Sequence, residues 1–419
     1  MVIPFLNDLA KSRLSAYEVT AHLIKGLLFY PIPQLLLTPR QLIPIGNQST
    51  DDMVRQLETG LATNTIYLNY LLLLYLSVLT IMLILKSPVK FRINNLKGNH
   101  WVFVLILLNV GILSSSFSLN DFIYIFLFAA FLVYSKLNRS HIRTLYNWLL
   151  VLYVYSSLIL VLLKPAVSIF SDGEWAGIFS NPNGVVIVCN FIFILLLLAP
   201  YYGVRRAKVH YLHFIAITLF IFMSDSRNGL LTFAVIGLIF FVSEYKLGIV
   251  KNIAILVAFP ILFFLVDRFN QIDLVSLTSS RILIWNYAFY ELQDNLILGL
   301  GRDFYSLDNR LKNFPDTLVF ATSSYSSFMD YIVLYGIVGS VAIVMFMRYV
   351  FLKAYGIKPV FLIFFVLFLI PNFFESYFRP PYLTINTILY LFVLFILRET
   401  LLSRNEIWSD EIEAYPSKL

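Results

Sequence analysis

Two serine–arginine steps open apolar helical patterns: Ser226–Arg227 in SDSRNGLL and Ser280–Arg281 in SSRILIW. Serine is a favoured helix N-cap, and a helix start offers unpaired N–H groups at the positive end of its dipole. An arginine there adds a rigid fork of donors that can bind phosphate oxygens two at a time. Such a step suits phosphate binding. At the first step Ser224, Asp225 or Ser226 can cap, and an Asp225–Arg227 pair that only neutralises a turn is the simpler alternative. At the second, Ser279 or Ser280 caps a helix from Arg281, with Trp285, Ala288, Phe289 and Leu292 at one-face spacing. That pattern predicts an interfacial helix.

Other groups could share the chemistry. GLGRDF presents Arg302 on a flexible turn, with a pair to Asp303 or Asp308 as the alternative. SDGEWAGIFSNPNG gathers Asp172, Glu174, Asn181 and Asn183. Its Asp-Gly-Glu resembles a minimal divalent-metal pair, but no histidine or third carboxylate lies nearby in sequence, so a solvated acidic loop is expected and no metal. Asp330 lies about one turn inside an apolar run, where an ionisable group costs about 2.5–3.5 kcal/mol at full depth. It is either functional or paired with an arginine. Glu375 and Arg379 flank the end of another run. There is no P-loop and no G-x-S-x-G elbow. The single cysteine, Cys189, excludes a disulfide framework.

The elements that must position these residues are membrane spans. The chain has 419 residues, is 59% hydrophobic and 13% charged, and has a mean hydropathy of +0.80. That is about half the charge density of a soluble domain. Apolar runs predict an all-α polytopic membrane protein of about twelve spans, centred roughly on 20–37, 66–86, 101–117, 122–136, 145–163, 184–202, 211–224, 228–244, 250–266, 326–347, 358–375 and 382–398. Residues 1–419 read as one integral membrane domain, with 267–325 a large loop between spans 9 and 10. The N-terminus lacks the order of a cleaved signal peptide.

Of the 31 basic residues, 21 fall on alternate loops and both termini, which the positive-inside rule makes cytoplasmic. All five histidines fall at or near that side, so the outer side has no histidine base. The net charge of +7 is explained by topology rather than by nucleic acid. Ten basic residues remain outside, and eight are arginines. Lysine would anchor at headgroups as well as arginine does, so the preference points to the bidentate fork.

Taken in order, GIFSNPNG (177–184), SDSRNGLL (224–231), SSRILIWNYAFYELQDNLILGLGRDFY (279–305) and SSYSSFMDYIVLYGIVGS (323–340) resemble the bacterial O-antigen polymerase and O-antigen ligase superfamily. The resemblance covers roughly 170–345. It implies a GT-C-like glycosyltransferase architecture in the cell inner membrane, with a periplasmic loop folded over a lipid-open cavity. The donor would be a glycan on undecaprenyl diphosphate, and the family's phosphate-binding arginines map onto Arg227 and Arg281. The ligases carry a histidine–asparagine pair where this chain has Tyr325 and Ser326, which favours a polymerase.

The expectation is therefore an inverting, metal-independent polymerase of O-antigen, capsule or exopolysaccharide, acting on the periplasmic face without a cofactor. Arg227, Arg281, Asp330 and Glu174 are the expected catalytic set. Arg302, Asn183, Ser226, Tyr325, Glu375 and Arg379 are expected to touch substrate. Donor and acceptor lipids, membrane lipids, a chain-length regulator and a flippase are the expected partners. A ligase acting on lipid A core and a lipid-linked oligosaccharide transporter are the alternatives. A transporter would want polar groups distributed through the spans and an internal repeat, and neither pattern is visible.

Overall fold

A computed structural model describes residues 14–32, 35, 64–86, 119–135, 139–165, 168–169, 173–179, 181–202, 209–244, 281–319, 321, 323–375 and 384–403. Among these the regular structure is helical, with one isolated β-bridge between Ile169 and Trp175 and no named strand. The helices are α1 (Ala16–Phe29), α2 (Asn64–Lys86), α3 (Leu119–Tyr134), α4 (Arg139–Leu149), α5 (Ser156–Leu163), α6 (Pro182–Leu198), α7 (Val209–Met223), α8 (Arg227–Glu244), α9 (Arg281–Leu292), α10 (Leu307–Asn313), α11 (Ser327–Ile357), α12 (Leu362–Phe374) and α13 (Ile385–Ser403). A π segment, Leu150–Tyr155, joins α4 to α5.

Three described stretches are long and apolar enough to cross a membrane: Ser140–Leu163, Pro182–Tyr202 and Ser327–Ile357. Shorter apolar helices accompany them. Large apolar side chains stay exposed along several helices, including Leu71 and Leu74 on α2, Leu212 and Ile215 on α7, and Val341 and Val344 on α11. Stripes of that kind suit contact with lipid better than water. The expected spans at 101–117 and 250–266 lie outside the described residues.

The chain divides into two compact units. The first holds α1, α2, α3 from Ile123, α4 to α7, α8 as far as Phe233, and α13. Its centre is α6, apolar on every face and buried along nearly all of Val185–Leu195, as a helix without a polar side must be. Helices α4, α7 and α13 pack on it. Gly229 lets α8 approach closely, since a Cβ there would meet Val186 Cγ1 at 2.0 Å.

The second unit holds α8 from Ala234 and α9 to α12. Helix α11 is broken at Gly336, where φ is +60° and ψ is −148°. The break is spliced by backbone from the preceding loop. Leu300 N–H donates to Val333 O at 2.8 Å, and Gly301 N–H to Leu334 O at 3.0 Å. In return, Ile337 N–H donates to Leu296 O at 2.9 Å and Val338 N–H to Ile297 O at 3.4 Å. An unbroken helix would pair 337 with 333 and 338 with 334. Loop 296–301 thus replaces two internal bonds with four external ones. Gly299 (φ +78°) and Gly336 have no room for a side chain, because a Cβ on either would sit 2.5 Å from the backbone of the opposing segment.

The expected interfacial helix exists as α9, but its buried stripe differs. Ile284, Ala288 and Leu292 are buried and Trp285 is half-buried, whereas Phe289 is 43% exposed. The buried positions form an i, i+4 row, and α9 packs against α11.

Candidate functional site

In the second unit the side chains gather where α9 begins, α11 begins and α12 ends. Arg281, the first residue of α9, donates from Nη2 to Glu375 Oε1 at 2.8 Å. Pro371 and Asn372 lie in the last turn of α12, and Glu375 follows in extended conformation just beyond the helix. Its carboxylate is nearly buried, while the arginine side chain keeps 22% of its surface exposed. Burial pushes the Glu375 carboxyl above its ordinary range, and this outweighs the opposing pull of Arg281.

Tyr325 completes the group, its ring centroid 5.8 Å from the Arg281 guanidinium carbon. Its backbone is left-handed, with φ of +54°, a conformation that costs a non-glycine residue about 1–2 kcal/mol. The surroundings hold it there. Asp330, 2% exposed, accepts from Ser324 N–H at 2.9 Å and from Ser324 Oγ at 2.7 Å. Tyr325 N–H donates to Ser323 Oγ at 3.2 Å, and Trp285 Nε1 to Ser324 O at 2.7 Å. Ser326 caps α11, and Ser327 Oγ donates to Asn372 Oδ1 at 2.7 Å. This turn ties α9, α11 and α12 together, with a strained tyrosine at its tip.

In the first unit, Ser226 proves to be the cap of α8, accepting from Gly229 N–H at 3.1 Å. Its hydroxyl in turn donates to Asn183 Oδ1 in a short hydrogen bond. Asn181 caps α6 by accepting from Asn183 N–H at 2.8 Å. The starts of α6 and α8 therefore meet, with Arg227 exposed beside them. Met223 O, at the end of α7, accepts from Trp175 N–H at 2.9 Å, which brings the Glu174 segment to the same end. Asp225 turns the chain with φ of +46°, and no ion pair joins it to Arg227. Asp225 serves the turn through its backbone, as aspartate readily does.

The expected residues thus fall into two groups. Arg281, Glu375, Tyr325 and Asp330 share the second-unit cluster; Arg227, Ser226 and Asn183 share the first-unit helix starts, with half-buried Glu174 nearby. Asp172, Arg379, Ser279 and Ser280 lie outside the described residues, as does the side chain of Arg302, whose backbone opens a short 3₁₀ turn. The reading by residue type missed Ser324, Ser327 and Asn372. The only signals for them were a serine-rich run and an asparagine after a proline in an apolar helix.

No protein-family model matches the chain, and no curated protein matches it. The second-unit cluster offers a bidentate cation, a buried carboxyl with a raised pKa, and a phenol held over the cation. Together they suit binding an oxyanion and accepting a proton beside it.

Proposed function

We propose that this chain is an inner-membrane polysaccharide polymerase of the O-antigen polymerase kind, with about twelve spans and a GT-C-like architecture. It joins lipid-linked repeat units on the periplasmic face. The observation that carries the reading is Arg281 at a helix start, partnered by the nearly buried Glu375 and covered by the strained Tyr325. The lipid diphosphate of the donor takes over Arg281, and Glu375 is released from the pair. A sugar hydroxyl of the acceptor attacks the anomeric carbon and forms the new glycosidic bond. The bond from that carbon to the diphosphate oxygen breaks, and undecaprenyl diphosphate leaves with the electron pair. Glu375, its pKa raised by burial, accepts the hydroxyl proton. Arg281 neutralises charge that grows on the leaving diphosphate. Arg227, with Ser226 and Asn183 behind it, is a second phosphate-binding arginine in this reading.

The broken helix α11 is the one feature that favours a transporter, since discontinuous spans often hold coupling ions. Here the groups freed at 333, 334, 337 and 338 are bonded to loop 296–301. The break therefore reads as a splice rather than an ion site. Purified protein in liposomes, given a defined undecaprenyl-diphosphate-linked repeat unit, should build a ladder of longer glycans. Transfer only to lipid A core would support the ligase instead, and translocation without growth a flippase.

A further inference from the structure

Arg310, in the middle of α10, is 6% exposed. Its Nη1 donates to Val319 O at 2.5 Å, and its Nε is buried with no hydrogen-bond partner. No carboxylate among the described residues pairs with it. A buried guanidinium held by one carbonyl is costly, because a charge removed from water needs a counter-charge or a full set of acceptors. Burial indeed works against its protonated form. Its neighbours Asp308, Leu311, Lys312 and Asn313 are exposed, so the short helix that carries it has an exposed face. The Tyr325 phenol is within its electrostatic reach, and the same ring lies against Arg281. One strained tyrosine thus lies against an arginine that has a carboxylate partner and within electrostatic reach of a second arginine that has none.

We infer that Arg310 is the cationic half of an oxyanion subsite beside Tyr325, which takes a phosphate or carboxylate group of the substrate. The inference deepens the polymerase reading and rests on it for the identity of the substrate. The group is then either a phosphate of a lipid-linked unit or the carboxylate of an acidic sugar in the glycan. Both satisfy the orphaned Nε and supply the missing negative charge.

The test needs no polymerisation. Thermal unfolding of the purified full chain in detergent is followed while inorganic pyrophosphate or glucuronate is titrated, for wild type, Arg310→Met and Arg310→Lys. A ligand bound only by the folded state raises the unfolding temperature in proportion to its affinity. The expected result is an anion-dependent rise in wild type whose apparent affinity is weaker by roughly tenfold or more in Arg310→Met. Arg310→Lys keeps the charge and loses the fork, so it should fall well short of wild type; it carries the test if the Met variant does not accumulate. Dependence on pyrophosphate assigns a phosphate source, and dependence on glucuronate an acidic sugar. No anion effect in wild type, or equal affinity in wild type and variants, overturns the subsite. An Arg310-dependent response in a protein that builds no polymer would keep this inference and sink the polymerase.

Discussion

At the scale of single residues, the pair of Arg281 and Glu375 has separable functional and structural consequences. Arg281→Ala removes the proposed phosphate ligand and also strands a nearly buried carboxylate. We expect it to lower stability by about 1.5–3 kcal/mol, the usual worth of a charged hydrogen bond. Adding Glu375→Gln should recover most of that loss without restoring activity. Reversible unfolding of the two variants checks both statements; equal stability of Arg281→Ala and wild type would show that the pair holds nothing. Glu375 also makes a pH prediction. Its folded pKa is raised from the ordinary 4.5, so its contribution to stability is full below that value. The contribution is lost as pH rises through the folded pKa. Glu375→Gln should flatten this fall in a pH series of unfolding temperatures. The two serine–arginine steps were legible in sequence because capping is a local signal: Ser226 caps α8 and Arg281 opens α9. Glu375 as the partner of Arg281 was not, because a contact across 94 positions leaves no spacing to read.

At the scale of elements, the splice between loop 296–301 and α11 explains why two glycines are needed. Gly299→Ala and Gly336→Ala should each cost about 1–3 kcal/mol from a left-handed backbone, with the backbone clash in addition. Gly237→Ala, in the interior of α8 with nothing within 4 Å of the added carbon, should instead stabilise by about 0.5–1 kcal/mol. Unfolding measurements on all three variants would refute the splice if their signs agreed. The break itself was hidden in sequence, since SSFMDYIVLYGIVGS has the periodicity of an ordinary span. Only the tertiary insertion of 296–301 makes Gly336 a breakpoint. The helices themselves were legible: the runs at 66–86, 184–202 and 228–244 return as α2, α6 with its terminal 3₁₀ turn, and α8. The buried face of α9 was misread at its margin, because Phe289 fits a lipid-facing pattern while the positions actually buried are Ile284, Ala288 and Leu292.

At the scale of the whole molecule, the proposed topology makes the stretch before α11 periplasmic and the far end of α11 cytoplasmic. In a Cys189→Ser background, Thr317→Cys should react with an impermeant thiol reagent in spheroplasts, whereas Gly356→Cys near the far end of α11 should react only after permeabilisation. Cys189 is buried and needs removal only for cleanliness. The reverse pattern would invert the proposed orientation. The central proposal is that an arginine fork at a helix start binds phosphate during glycosyl transfer, at Arg281 and separately at Arg227. The most direct measurement is the single-turnover rate of polymerisation in liposomes for Arg281→Lys and Arg227→Lys, with protein level and unfolding temperature recorded alongside. Lysine keeps the charge and loses the bidentate geometry. A contact worth about 1.5–3 kcal/mol then predicts a loss of roughly ten- to a hundredfold in rate at either position, with stability near wild type. Wild-type rates in both lysine variants would contradict the account.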